Sequence, residues 1–199
     1  MPQRRLFLLG ATAALLPATL FAQPRAQGVV PGLVQPTNVV DALAAAGNYD
    51  NFIEMISRAG LVETLRGAGP YTVLAPNNAA MARMPNSLRE MLDPSTGGSG
   101  AQRQDPDRVR LLAFGNMHII EGRYPMEMML GRTTQVRTRN GNQVEFNGGQ
   151  GNLVQARIVG DSGFGVGGIN IPLSPITLGS REIICSNGIV LPISEPLIQ

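Results

Sequence analysis

The 199-residue chain contains one cysteine, one histidine, no tryptophan and no lysine. The single cysteine, Cys185, cannot form a disulfide within the chain, and its apolar neighbours favour a buried, unreactive thiol. One histidine and one cysteine are too few for a usual zinc site, and the acidic residues show no calcium-loop pattern. We therefore expect no metal and no other cofactor.

The first 22 residues have the pattern of an export signal. Arg4 and Arg5 precede an apolar run over residues 6–22, which is short for a membrane span and contains Pro17. The paired arginines favour the twin-arginine export route, although the Sec route can also read such a start. We expect cleavage near residue 22, a flexible linker over 23–36, and a periplasmic or extracellular protein without a transmembrane anchor.

Charge gives no support for a nucleic-acid partner. All 14 acidic residues follow residue 22, whereas two of the 16 basic residues lie within the signal, so the mature chain carries 14 minus 14, or zero, formal charge. The basic pI therefore belongs to the precursor. No run of like charge suggests a membrane-surface patch.

Helical signals dominate the first half of the mature chain. Asn38 can cap a helix over VVDALAAA, and Asp50 can cap NFIEMISRA, whose apolar residues share one face. The stretch YTVLAPNNAAM (residues 71–81) predicts a strand that turns sharply into a helix capped by Asn77 or Asn78. We interpret this corner as a rigid joint, because its tip lacks a nucleophile.

Strand signals dominate beyond Met117. TTQVRTRNGNQVEF predicts a hairpin with a turn at Asn140 and Gly141, and LVQARIV predicts a further strand. REIICSNGIVLPI predicts two short strands around Asn187 and Gly188. Helices followed by strands indicate an α+β domain.

Residues 162–180 carry no charge and mix apolar residues with glycine and proline. Two interpretations stay open: an extra hairpin packed on the sheet, or an exposed apolar loop that contacts a partner. Phe164, Ile169 and Ile171 are the candidate contact residues in this stretch.

Three ordered phrases give the chain a family resemblance. TVLAPNNAAM (72–81), HIIEG (118–122) and SNGIVLPISEPL (186–197) resemble the first, central and last boxes of fasciclin (FAS1) domains. The resemblance covers residues 37–199, with apparent insertions near 97–104 and 162–179. It implies an α+β fold in which N-terminal helices lie beside a wedge of two β-sheets.

The resemblance also implies where partners bind, with departures that matter. Animal members contact receptors through a tyrosine-histidine pair, matched here by Met117 and His118, and an aspartate-isoleucine pair, matched by Glu182 and Ile183. One residue of each pair is altered, so we do not carry receptor binding over. His118, Glu182 and Ile183 remain candidate binding residues. In the last box, Leu191 and Ser194 replace a usual histidine and aspartate.

Three classes of function follow from these patterns. The first is an exported, non-enzymatic adhesion or interaction module that binds a cell-surface component, a matrix component or another protein. The second is a carrier of a small apolar ligand, since some fasciclin-like proteins are similar to carotenoid carriers. The third is a hydrolase, which would need His118 exposed in a cleft beside a serine and a carboxylate. We expect His118 instead to bond to the backbone near a strand start.

Overall fold

The computed structural model describes residues 33–34, 37–92, 108–149, 153–159, 176–178 and 181–198. Within these ranges the helices are α1 (Val39–Ala46), α2 (Asp50–Arg58), α3 (Val62–Arg66), α4 (Asn78–Ala82), α5 (Asn86–Leu92) and α6 (Arg108–Met117). The strands are β1 (Leu33–Val34), β2 (Tyr71–Pro76), β3 (Ile119–Glu121), β4 (Thr133–Arg137), β5 (Gln143–Gly148), β6 (Val154–Val159), β7 (Ile176–Thr177), β8 (Ile183–Cys185) and β9 (Gly188–Ile193). Helices precede most strands, so the predicted α+β class is confirmed.

Side-chain caps fix two of the helix starts. The Asn38 side chain accepts hydrogen bonds from the first backbone N–H groups of α1, and Gly47 ends that helix in a left-handed conformation. Asn77 caps α4 by accepting from Ala80 N–H, as predicted for the 71–81 corner. Asp50 is the first helical residue of α2 rather than its cap, because Tyr49 precedes it in the cap position.

The first sheet has five strands in the order β1-β8-β9-β2-β3. Strands β8 and β9 form the predicted antiparallel hairpin, and β9 lies parallel to β2 along the full length of both strands. The first and last fasciclin-like boxes are thus neighbouring strands at the centre of this sheet. Strand β1, at the end of the predicted linker, pairs with β8 at the edge.

The second sheet has four antiparallel strands in the order β4-β5-β6-β7. Strands β4 and β5 form the predicted hairpin, and Gly141 has the positive φ that its turn requires. Strand β6 follows as predicted. Strand β7 belongs to the uncharged 162–180 stretch, and Leu178 beside it is buried. The packed interpretation is therefore correct for residues 176–178.

The first sheet separates two hydrophobic clusters, because successive side chains along each of its strands point to opposite faces of the sheet. One face packs on the helices: Val73, Ala75 and Val190 join Phe52, Leu43 and other helical residues in the helix-side cluster. The opposite face packs on the second sheet. Leu74, Ile189 and Leu191 join residues such as Val144 and Phe146 in the inter-sheet cluster.

Candidate functional site

The ring of His118 is fully buried at the point where α6 leads into β3. It lies beside Phe114 and Phe52, at ring-centroid distances of 4.5 and 5.5 Å. Its Nδ1 lies 2.8 Å from Phe114 O, and Leu197 N–H donates to its Nε2 at 2.9 Å. Both ring nitrogens are therefore occupied by backbone groups.

This pair of contacts defines the chemical state of the ring. Because Nε2 accepts from Leu197, the proton of the neutral imidazole must lie on Nδ1, which donates to Phe114 O. Burial lowers the pKa of His118 to about 4, and the hydrogen bond to Phe114 opposes that effect. The arrangement agrees with the predicted histidine that bonds to backbone. It lacks the exposed cleft that a hydrolytic general base needs.

Asn187 connects the last box to the N-terminal helices. Its Oδ1 accepts from Val39 N–H at 2.9 Å, and its Nδ2 donates to Leu65 O and Gly67 O, each at 2.7 Å. The side chain is buried. The sequence analysis recognised Asn187 as a turn residue and missed this connection, whose partners lie more than 100 residues away in the chain.

Two glycines let the backbone pack closely around the same turn. A Cβ added at Gly188 would lie 2.2 Å from Tyr71 O, and one added at Gly69 would lie 2.1 Å from Asn187 O. Only glycine fits such approaches without a backbone shift. The Asn-Gly pair of the last box is therefore required by the packing of strands and helices.

Glu182 and Ile183 lie at the start of β8. Glu182 Oε2 accepts from Met126 N–H at 2.8 Å, which connects this strand to the short 3-10 helix Met126–Met128. Ile183 is buried in the helix-side cluster. Met117, beside His118, is buried as well. Neither altered pair offers its two side chains together at the surface.

A second polar connection joins β2 to the turn after β3. Thr72 Oγ1 donates to Gly122 O at 2.8 Å and accepts from Tyr124 N–H at 3.0 Å. In the same turn, Arg123 Nη2 donates to Cys185 O at 2.9 Å. Sequence reasoning missed these contacts, since a threonine in a strand carries no local signal of its partner.

Cys185 is buried, as predicted. Burial raises the pKa of its thiol to about 11, and the nearby Arg123 guanidinium opposes that shift. The thiol is therefore protonated at neutral pH and is a poor nucleophile.

The departures in the last box have structural explanations. Leu191 is fully buried in the inter-sheet cluster, and Ser194 Oγ accepts from Thr177 N–H at 3.0 Å. Pro192 lies in β9 beyond Val190, the last β9 residue that pairs with β8. Its missing N–H therefore leaves no β8 carbonyl without a partner.

The other predicted contact residues, Phe164, Ile169 and Ile171, lie outside the described residues. The predicted insertion near 97–104 also lies outside them. The strands on either side of residues 160–175 are described: β6 ends at Val159 and β7, within the uncharged stretch, begins at Ile176, and these strands are antiparallel neighbours. Because the two strands are antiparallel, Val159 and Ile176 lie at the same end of the strand pair.

The described ranges contain neither a metal-binding cluster nor a membrane-spanning helix. No cluster of three or more histidine, cysteine, aspartate or glutamate side chains there is arranged to hold a metal ion. None of the helices in those ranges combines the length and apolar character needed to cross a bilayer.

The chain belongs to the fasciclin domain family, whose model matches residues 47–199. It is similar to the solved structure of a FAS1 domain pair from the insect cell adhesion molecule Fasciclin I, with a TM-score of 0.54 and 21% identity. That likeness covers 77% of this chain and 46% of the insect chain, and it supports the fold.

A curated relative is an uncharacterised protein of Synechocystis sp., 26% identical over 87 residues. The match covers 44% of this chain and 56% of the relative. The matched regions thus span about half the length of both the insect and the Synechocystis proteins.

Proposed function

We propose that this chain is an exported, non-enzymatic adhesion or interaction module that binds a cell-surface component, a matrix component or another protein. The observation that carries the proposal is the fasciclin match over residues 47–199. Fasciclin domains are commonly adhesion or interaction modules, and the structurally similar insect protein is a cell adhesion molecule. Residues 1–22 would direct export.

The use of the polar side chains supports a non-enzymatic role. The lone pair of His118 is occupied by Leu197 N–H, and the amide of Asn187 is occupied by three backbone groups. Glu182 accepts a backbone N–H of the 3-10 helix. These groups stabilise the fold, and a general base or nucleophile needs a free lone pair facing a substrate.

We place the partner contact in the uncharged stretch, with Phe164, Ile169 and Ile171 as the apolar contact residues. In support of this choice, Leu178 bridges to Ile193, which anchors the described part of the stretch, residues 176–178, where the two sheets meet. We assign His118, Glu182 and Ile183 an indirect role: they hold the adjoining strands in place and do not touch the partner.

The test is attachment of the producing cells to a surface, with the gene intact, deleted, and deleted with purified mature protein added back. The proposal predicts that deletion lowers attachment and that wild-type protein restores it. A triple variant, Phe164→Ser, Ile169→Ser and Ile171→Ser, should fold but not restore attachment. The matched control carries Leu112→Ser and Met128→Ser, which remove apolar side chains that are 41% and 48% exposed elsewhere.

Two outcomes would contradict parts of this proposal. Unchanged attachment after gene deletion would remove the adhesion function, and the absorbance of protein purified from its own host would then test the carrier function. Full restoration by the triple variant would leave adhesion intact but exclude the assigned contact residues.

Salt dependence tests the chemistry of the contact. Because the mature chain is formally neutral and the assigned contact is apolar, partner binding should change little as salt is added. A steep loss of affinity between low and physiological salt would indicate a charged contact instead.

A further inference from the structure

His118 lies at the boundary between the two hydrophobic clusters. Its ring packs on Phe52 and Phe114, which belong to the helix-side cluster. Met117, which precedes it, and Ile120 belong to the inter-sheet cluster, whereas Ile119, which follows it, belongs to the helix-side cluster. Because the first sheet separates the two clusters, His118 lies at the edge of the sheet's helix-side face, next to residues of both clusters.

The C-terminal segment, residues 195–198, closes the same boundary. Leu197 is fully buried in the inter-sheet cluster, and Ile198 packs against the helix-side cluster. Before the segment, Ser194 O accepts from Arg83 Nη1 at 2.9 Å. Past Ser194, the burial of Leu197 and the hydrogen bond from Leu197 N–H to His118 Nε2 hold the segment in place.

The hydrogen bond to Leu197 exists only for the neutral ring. A second proton on the imidazole would lie on Nε2 and point at Leu197 N–H, so that two donors would face each other in a buried site. The ring can accept that proton only if the backbone of Leu197 moves away and water reaches Nε2. We propose that residues 195–198 form an acid-released latch, held closed by neutral His118, whose opening exposes both hydrophobic clusters.

No facing carboxylate among the described residues compensates a charged His118. The causes that act on its pKa are burial, which lowers it to about 4, and the weaker effect of the bond to Phe114. The charged residues on the elements around the ring and beside the segment are exposed, and Arg83 donates to Ser194 O rather than to the ring. They are Asp50, Glu54 and Arg58 on α2, Arg108 and Arg110 on α6, Glu121 on β3, Arg83, and Glu195 on the segment. The protonated ring is therefore stabilised mainly by water, which favours the open segment at low pH.

The pKa difference sets the size of the effect. With a pKa of about 4 when the latch is closed and the ordinary value of 6.5 when it is open, the proton binds the open form preferentially. The equilibrium constant for opening should then rise about 30-fold between pH 7.5 and pH 5. It should be constant above about pH 7.5, where both forms are neutral.

Hydrogen exchange of single amides in the full mature chain tests the latch. The protection factor of Leu197 N–H, corrected for the intrinsic pH dependence of exchange, should fall about 30-fold between pH 7.5 and pH 5. Two amides report global unfolding: Tyr71 N–H, which donates to Asn187 O, and Gly148 N–H, which donates to Arg132 O. Global unfolding also frees His118, so the protection of these two amides carries the same pH dependence. It should exceed that of Leu197 at both pH values, because opening residues 195–198 needs less free energy than unfolding the whole chain.

Two further measurements complete the test. In His118→Gln, which cannot titrate, Leu197 protection should not depend on pH in this way. If that variant does not fold, the imidazole resonances of the wild-type protein replace it: the ring should be neutral with the proton on Nδ1 at pH 7. Equal protection of Leu197 at pH 7.5 and 5 would overturn the proposal. So would equal protection factors for Leu197, Tyr71 and Gly148 at both pH values, which would mean that Leu197 exchanges only by global unfolding. A protonated ring at pH 7 would overturn it as well.

Discussion

The turn at Asn187 and the C-terminal segment at Leu197 are both held by one buried polar side chain, but the two side chains differ in kind. Asn187 bonds to three backbone groups through a neutral amide. His118 bonds to two backbone groups through a ring that can take up a proton. The amide holds its contacts at every pH, whereas the imidazole holds Leu197 only while it is neutral. The contact before β9, at Asn187, is therefore independent of pH, whereas the contact after β9, at Leu197, depends on the protonation of His118.

Removing the amide should have the largest effect. Asn187→Ala leaves Val39 N–H, Leu65 O and Gly67 O without partners in a buried site, which should lower the free energy of unfolding by about 4 kcal/mol. Urea unfolding at pH 7 measures the loss. Asn187→Asp is the matched control: it keeps the acceptor for Val39 but faces both carbonyls with a carboxylate, so it should not rescue stability.

Removing the buried side chain of Leu197 should have the next largest effect on stability. Leu197→Ala keeps the backbone N–H that donates to His118 but empties a fully buried position, which should cost about 3 kcal/mol in the free energy of unfolding. Urea unfolding at pH 7 again gives the value. A loss below about 1 kcal/mol would mean that the segment contributes little packing.

Changing the pH should separate the two contacts. The pKa of His118 is about 4 in the folded protein and 6.5 when unfolded, so the unfolded state binds more protons between these values. The contribution of His118 is therefore fully present above pH 6.5 and is lost as the pH falls toward 4. The loss should be on the order of 3 kcal/mol.

The pH effect is measured as a difference between two proteins. Urea unfolding of wild type and His118→Gln at pH 7 and pH 4 removes the carboxylate contributions that both share. Between pH 7 and pH 4, the free energy of unfolding of wild type should fall more than that of the variant, by on the order of 3 kcal/mol. Equal losses in the two proteins would show that the ring does not control acid stability.

The smallest expected effect concerns a local contact. Asn77→Ala removes the cap that accepts from Ala80 N–H and should cost about 1 kcal/mol in the free energy of unfolding, with no pH dependence from this site. Thermal unfolding with calorimetry would detect it. An effect as large as that of Asn187→Ala would mean that the 71–81 corner supports more than its own helix.

Contacts between near neighbours in the chain were predictable from the sequence. The cap at Asn38, the turn at Gly141 and the strand-to-helix corner at Pro76 each depend on residues within a few positions. The family resemblance added the wedge of two sheets. Fold class and element type followed from these signals. Asp50 was predicted as the cap of α2 but is its first helical residue, because acidic residues favour both positions.

Contacts between distant residues were not predictable. The partners of Asn187 lie 120 to 148 residues away, and Leu197 lies 79 residues from His118. Nothing in the local sequence distinguishes a turn asparagine from one that also connects two helices. The single histidine was correctly expected to bond to backbone, but the identity of its partner requires the folded chain.

We propose that the box residues stabilise the fold and that the partner contact lies in the uncharged stretch. The most direct measurement compares two folded variants in the attachment assay. Glu182→Gln removes the charge of a family contact position but can still accept from Met126 N–H. We expect Glu182→Gln to restore attachment as wild type does and the Phe164, Ile169 and Ile171 triple variant to fail. Loss of attachment with Glu182→Gln, or full restoration by the triple variant, would contradict this assignment.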